Sequence, residues 1–329
     1  MRRLAPAPTL FVLALLLVGA AVLRLALGRD PGGGLTLGFE HLDLRAARVV
    51  SGVLVGSCLA VSGVFLQSLL RNVLASPDIL GLASGAGLGV MVAAYLGYLA
   101  GRGLASPDVL GLSGAGAAVV GALLALALVY ALSARRGVLD PITLVLVGVG
   151  VSILASAGTM IVRHLLPDQG EAAARMLVGS LRDAQWWELG VASIPALAGV
   201  GLGMASARAM DAASLSEDEA RSVGVPIGSL RAGLFVASGV LTAVSVMLAG
   251  PVGFVGLVCP HVVRLLHGPG HRVLIPGAAL AGAALVVGCD VLVRAVDLGA
   301  GHLPLGVLTS LIGAPVLIGM LRSSRRRVF

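Results

Sequence analysis

Residues 250–272 read GPVGFVGLVCPHVVRLLHGPGHR. Apolar runs flank this stretch, yet Gly250, Pro251, Gly253, Gly256 and Pro260 interrupt it. A backbone broken in this way leaves N–H and C=O groups unpaired. At membrane depth that is tolerated only where protein or a water-filled cavity covers the break. The stretch therefore predicts a broken helix that lines a path, not a passive anchor. His261 and Arg264 follow Pro260, and the arginine and the basic run after it assign that end to the inner side. No cysteine or carboxylate joins His261, His267 and His271 there, so no metal site is expected.

Composition supports a membrane reading for the whole chain. Of 329 residues, 57% are hydrophobic and 12% charged, and the mean hydropathy is +1.01. That is too apolar for a soluble domain and fits an all-α, polytopic protein. Each helical span takes roughly 20 apolar residues. Ten are expected, at about 9–28, 47–70, 79–100, 110–133, 141–166, 186–207, 231–249, 253–267, 273–296 and 304–321. They leave only short loops, so residues 1–329 form one transmembrane domain. Arg2 and Arg3 precede an apolar run without a clear cleavage site, which reads as an uncleaved first span.

All 23 basic residues are arginine. A Walker A loop needs a lysine on the phosphates, and Schiff-base chemistry needs one too. The chain therefore carries no ATPase site of its own and binds no cofactor. The net charge of +7 reads as topology-setting arginine rather than nucleic-acid binding. With both termini inside, inner segments hold 14 arginines and outer segments 8, which agrees with the positive-inside rule. Cys58, Cys259 and Cys289 lie in apolar runs and form neither a disulfide framework nor a metal spacing.

Three further stretches carry information. In the polar island at about 208–231, Ser216 and Glu219 have the capping-box spacing, so a helix begins at Glu217. Glu217, Asp218 and Glu219 suit its positive end, Arg221 its last turn, and Gly224 the C′ position before Pro226. A two-turn helix is marginal alone, so a full set of caps suggests a docking surface. Arg45 and Arg48 share one face of an outer helix start, where cations oppose the macrodipole and want a partner carboxylate. Asp290 lies four residues before Arg294, in the favourable order for a neutralised pair. Gly52 and Gly56, and Gly199 and Gly203, have GxxxG spacing for close helix packing. The echo of ASPDILGL (75–82) in ASPDVLGL (105–112) reads as a shared Pro–Asp helix-start device.

These stretches resemble the FecCD-type permeases, the membrane subunits of ABC importers for iron–siderophores, haem and vitamin B12. The resemblance rests on the 250–272 segment, on the 44–86 stretch with Arg45, Arg48, Gln67, Asn72, Ser84 and Gly85, on the capped island, and on LPLGVLTSLIGAP at 303–315. Val73 stands where the family usually has proline, and His302 where it often has glutamate. The resemblance implies a type II ABC importer permease fold and a second permease subunit, as homodimer or with a paralogue. It implies two ATP-binding subunits carrying ATP and Mg, and a substrate-binding protein outside. It implies that the island is the ATPase-coupling loop and that Arg45, Arg48 and Arg294 dock the binding protein. Gln67, Asn72, Ser84, Gly85, Gly250, Pro251, Gly253 and Pro260 become path and gating candidates, and iron–siderophore the expected cargo. Two other readings compete. One is a secondary transporter with a midplane site between broken helices. The other is a rhomboid-like protease with Ser113 in its GLSG motif.

Overall fold

The computed structural model describes residues 5–29, 35–38, 41–100, 114–135, 138–166, 179–181, 183–295 and 303–325. Among these, eleven α-helices follow in chain order. They are α1 (Pro6–Ala26), α2 (Leu42–Leu69), α3 (Leu82–Leu99), α4 (Gly114–Ser133), α5 (Pro141–Leu165) and α6 (Trp186–Leu215), then α7 (Glu217–Ser222), α8 (Ile227–Ala249), α9 (Val255–Leu266), α10 (His271–Ala295) and α11 (Leu305–Arg325). A 3₁₀ turn, Pro77–Leu80, precedes α3. Two short antiparallel ribbons pair Leu27–Arg29 with Leu35–Leu37 and Ala134–Arg135 with Val138–Leu139.

Eight of the helices are long and apolar enough to cross a membrane, and Val255–Leu266 and Leu305–Val316 are shorter apolar stretches. Together they occupy the ten expected positions. The largest difference is α6, which runs on to Leu215 instead of ending near 207. The residues MDAASL contain no breaker, so the helix continues until Ser216 turns extended and caps the next one.

The core forms around α2, whose Val55, Ala60, Val64, Phe65 and Leu66 are fully buried. It packs against α10, α8, α9 and α6. Two backbone approaches set this geometry. A Cβ on Gly56 would lie 2.2 Å from the Gly282 carbonyl oxygen of α10, and one on Gly63 would lie 1.9 Å from the Gly256 carbonyl oxygen of α9. Glycine at these crossings brings the helices into backbone contact, as small residues do in membrane bundles. Gly52 packs against Val287, Gly199 against Leu241, and Gly203 against Phe65 and Ile275. Both GxxxG pairs thus seat helices of the same chain.

Candidate translocation path and coupling surface

The chain breaks at Gly250–Phe254, whereas Gly256 and Pro260, expected as further interruptions, lie within the continuous helix α9. Gly250 closes α8 at φ 67°, ψ −165°, a backbone region essentially confined to glycine. Phe254 opens α9 from the left-handed region at φ 67°. The break strands the Ala249 carbonyl, which accepts the Ser180 N–H at 2.8 Å. The Gly179 carbonyl in turn accepts the Gly306 N–H at 3.2 Å. A Cβ on Gly179 would lie 2.0 Å from the Pro251 carbonyl oxygen, so the 179–181 stretch lies directly on the break. The start of α11 covers it from another side. What remains open is a recess of about 720 Å³ lined by Asp78, Pro251, Gly253, Gly306, Val307 and Ser310, among others. Protein and cavity both cover the broken backbone, as the bilayer requires.

One buried side chain ties two of the sequence stretches together. Gln67, near the end of α2, is 3% exposed. Its amide nitrogen donates to the carbonyls of Ala75 (3.3 Å) and Gly256 (3.2 Å). Its amide oxygen accepts from the Arg264 guanidinium on α9. Asn72 accepts the Leu74 N–H on its side chain at 2.9 Å, and its carbonyl accepts the Ala75 N–H at 3.0 Å. This Asx turn forms with valine at position 73. Pro260 lies buried within α9. Ser84 and Gly85 sit apart from this group, in the first turn of α3. Gly85 packs on Gly121 and Ala125 of α4, and Ser84 faces Ser156 of α5.

The polar island folds as its caps dictate. The Ser216 hydroxyl accepts the Glu219 N–H at 3.1 Å. At the other end the Val225 N–H reaches the Ala220 carbonyl at 2.9 Å, and the Gly224 N–H reaches that of Arg221 at 3.0 Å. Gly224 has φ 82°. This is a Schellman motif with glycine at C′. Ala220 is fully buried and anchors the helix, while Asp218, Glu219 and Arg221 are exposed. Leu215 and Val223 flank them at 76% and 70% exposure, a pair of bare apolar side chains beside a charged face. Nearby, Asp211 of α6 accepts both the backbone N–H (3.0 Å) and Nδ1 (2.6 Å) of His271, which starts α10.

Arg45 and Arg48 lie near the start of α2, close to the residues that precede α6. Arg45 donates to the carbonyls of Leu25 (2.7 Å) and Gly38 (2.5 Å), where its charge suits the negative end of α1. Arg48 donates to the Leu181 carbonyl at 2.8 Å and pairs with Asp183 at 3.4 Å and Asp290 at 3.7 Å. The expected Asp290–Arg294 pair does not form. Asp290 instead binds Arg24 of α1, both residues being 4% exposed. A buried carboxylate takes the guanidinium that the α1–α10 contact buries beside it, and Arg294 lies one turn closer to the helix end. Sequence reasoning passed over Arg24. The available signal was a lone charge late in an apolar run, which needs an acid somewhere in the bundle.

Among the described residues, no three His, Cys, Asp or Glu side chains are placed to hold a metal. The residues of the GLSG motif before Gly114 and the second Pro–Asp stretch lie outside the described residues.

The model of the FecCD transport family matches residues 9–323. A cobalamin import permease of Halobacterium salinarum is 37% identical over 86% of this chain and 73% of its own. A hemin transport permease of Yersinia pestis is 34% identical over 96% of each chain. A vitamin B12 import permease of Klebsiella pneumoniae is 36% identical over 97% of this chain and 94% of its own. A solved structure described as a metal-chelate type ABC transporter, inward-facing, superposes with a TM-score of 0.82 at 30% identity, over 97% of this chain and 99% of its own. PsaBC from Streptococcus pneumoniae superposes at 0.56 with 15% identity, over 85% of this chain and 92% of its own, a likeness of fold alone.

Proposed function

The chain belongs to the FecCD transport family as a multi-pass ABC importer permease, and on that premise we propose how it works. It pairs with a second permease subunit, and its α7 seats in a groove on one of two separate ATP-binding subunits. A binding protein on the opposite face delivers a metal chelate. Cargo passes the break at 250–254 as nucleotide switches its access. The observation that carries this reading is the self-capped α7, which places a charged face and two bare apolar side chains at one end of a membrane bundle. A carrier driven by an ion gradient has no use for such a dock.

The relatives named for cobalamin and hemin put corrin and porphyrin chelates ahead of the iron–siderophore expected from the sequence. Both termini and α7 face the cytoplasm of a bacterial-type inner membrane, with Arg45, Arg48 and Arg294 on the outer face. Gln67, Asn72, Gly250, Pro251, Gly253 and Pro260 form or support the path, while Ser84 and Gly85 seat α3 on its neighbours.

The test is reconstitution. The purified chain alone is expected to hydrolyse no ATP. With its ATP-binding subunits and binding protein in proteoliposomes, ATP should drive uptake of cyanocobalamin, hemin or a ferric siderophore. Hydrolysis by the chain alone would overturn the subunit assignment.

Docking has its own prediction. Arg45 and Arg48 hold internal partners, so reversing them disturbs folding as well. Arg294→Glu is the cleaner probe. It should weaken affinity for the binding protein roughly 3- to 10-fold, more at low salt, with membrane abundance unchanged. Unchanged affinity at every salt concentration would remove Arg294 from the docking surface.

A further inference from the structure

Asp78 stands apart from the other acids of the chain. It lies in the 3₁₀ turn before α3, yet its side chain is exposed into the recess beside the broken helix. A Cβ built on Gly253 would lie 3.7 Å from Asp78 Oδ2 and 3.9 Å from Ser310 Oγ, so carboxylate and hydroxyl face the same space. Among the described residues lining the recess, Asp78 is the one ionisable side chain, and the rest are glycine, proline, small or apolar side chains and Ser310. Ser310 spends its proton on the Gly306 carbonyl at 2.8 Å.

The carboxylate is also held in place. Ser76 Oγ donates to Oδ2 at 3.0 Å, and the backbone of Phe254 hydrogen-bonds the same carboxylate. An acid at the start of α9 also suits that helix dipole. Capping the half-helix would account for the acid's position. It does not account for a carboxylate left open to a cavity of this size, where an asparagine would cap as well without the cost of a charge at membrane depth.

We propose that Asp78 is a selectivity group of the translocation path, a fixed negative charge that favours cationic or hydrogen-bond-donating groups on passing cargo and disfavours bare anions. The proposal rests on the permease reading, in which the recess is one wall of the path. A carboxylate beside a small-residue wall recognises by charge and leaves shape permissive. Bulky chelates can then pass while their charge is sampled.

The test needs no knowledge of the natural cargo. Ser310→Cys places a thiol in the recess, and Val307→Cys provides a second position should the first fold poorly. The native Cys58, Cys259 and Cys289 are all buried, so the unmodified chain supplies the background. In the complete transporter, the thiol is reacted with a trimethylammonium methanethiosulfonate and with its sulfonate counterpart. The cationic reagent is expected to react on the order of tenfold faster than the anionic one, measured against an exposed control cysteine. Asp78→Asn keeps an acceptor for Ser76 and Phe254 but removes the charge, and it should collapse that ratio to the control value. An unchanged ratio in Asp78→Asn would overturn the proposal and leave Asp78 as a helix cap. A thiol that neither reagent reaches in any nucleotide state would overturn it as well. The permease reading is judged separately. Labelling that does not change between nucleotide-free and ATP-trapped transporter would count against alternating access, whatever the charge ratio.

Discussion

Gly282→Val is expected to leave little folded protein in the membrane. The α2–α10 crossing is a backbone contact. A Cβ on Gly282 would lie 2.2 Å from the Gly56 carbonyl oxygen and 2.7 Å from the Ala60 Cβ. Neither neighbour can rotate away, so the two helices must part. Overpacking a core usually costs about 1–3 kcal/mol, and a clash against backbone lies at or beyond the upper end. Separation also strains what the crossing positions. Asp290 of α10 would draw away from Arg48 of α2 while keeping Arg24 of α1, so this longer ion pair adds only a smaller loss to the steric one. Gly288, on the same helix, meets nothing within 4 Å. Gly288→Ala should therefore be neutral or stabilising by about 0.5–1 kcal/mol, because alanine has less conformational freedom to lose from the unfolded chain than glycine. Membrane abundance and thermal unfolding in detergent, compared between the two variants, check the claim. Wild-type stability of Gly282→Val would mean that the helices do not meet here.

What could be read from the sequence followed how local each determinant is. Gly250 takes a backbone region closed to other residues and Pro251 beside it lacks an N–H, so the break was legible from the two together. Ser216 and Gly224 act on backbone within a few residues of themselves, and the observed α7 begins at the expected Glu217. The limit of α6 was missed because a polar surface does not end a helix; only a competing cap does. The ion pairs were misread for a related reason. Arg24 and Asp290 are 266 positions apart, and the nearer Arg294 offered a plausible spacing. Helix periodicity shows which residues share a face, but not which helix covers that face. Asp78 illustrates the same gap. As Pro–Asp before a span it reads as a helix-start device, and the 3₁₀ turn bears that out. Its place beside Phe254 and the recess depends on the α2–α9 approach at Gly63 and Gly256, which spacing along the chain cannot reveal.

The self-capped helix α7 invites the second large effect. Ser216→Ala removes the hydroxyl that accepts the Glu219 N–H, a cap worth about 1 kcal/mol. Gly224→Val puts a β-branched residue at φ 82°, which costs roughly a further 1–2 kcal/mol. A six-residue helix has almost no intrinsic stability to set against that loss. Buried Ala220 is its principal anchor, and one methyl group cannot hold an uncapped turn in register. The helix should therefore be frayed most of the time. Its neighbours are protected from the change. α6 and α8 pack on α2, and α6 is tied to α10 through Asp211 and His271. Insertion, membrane abundance and binding-protein docking should persist. ATP-driven uptake in proteoliposomes should fall to less than about a tenth of wild type, and affinity for the ATP-binding subunits should fall with it, because the exposed face of Asp218, Glu219 and Arg221 no longer has a fixed shape. Each single variant should lie between wild type and the double. Normal uptake by the double variant, with fraying confirmed by faster amide exchange across 217–222, would reduce α7 to a connector and leave the transporter without an identified dock for its motor.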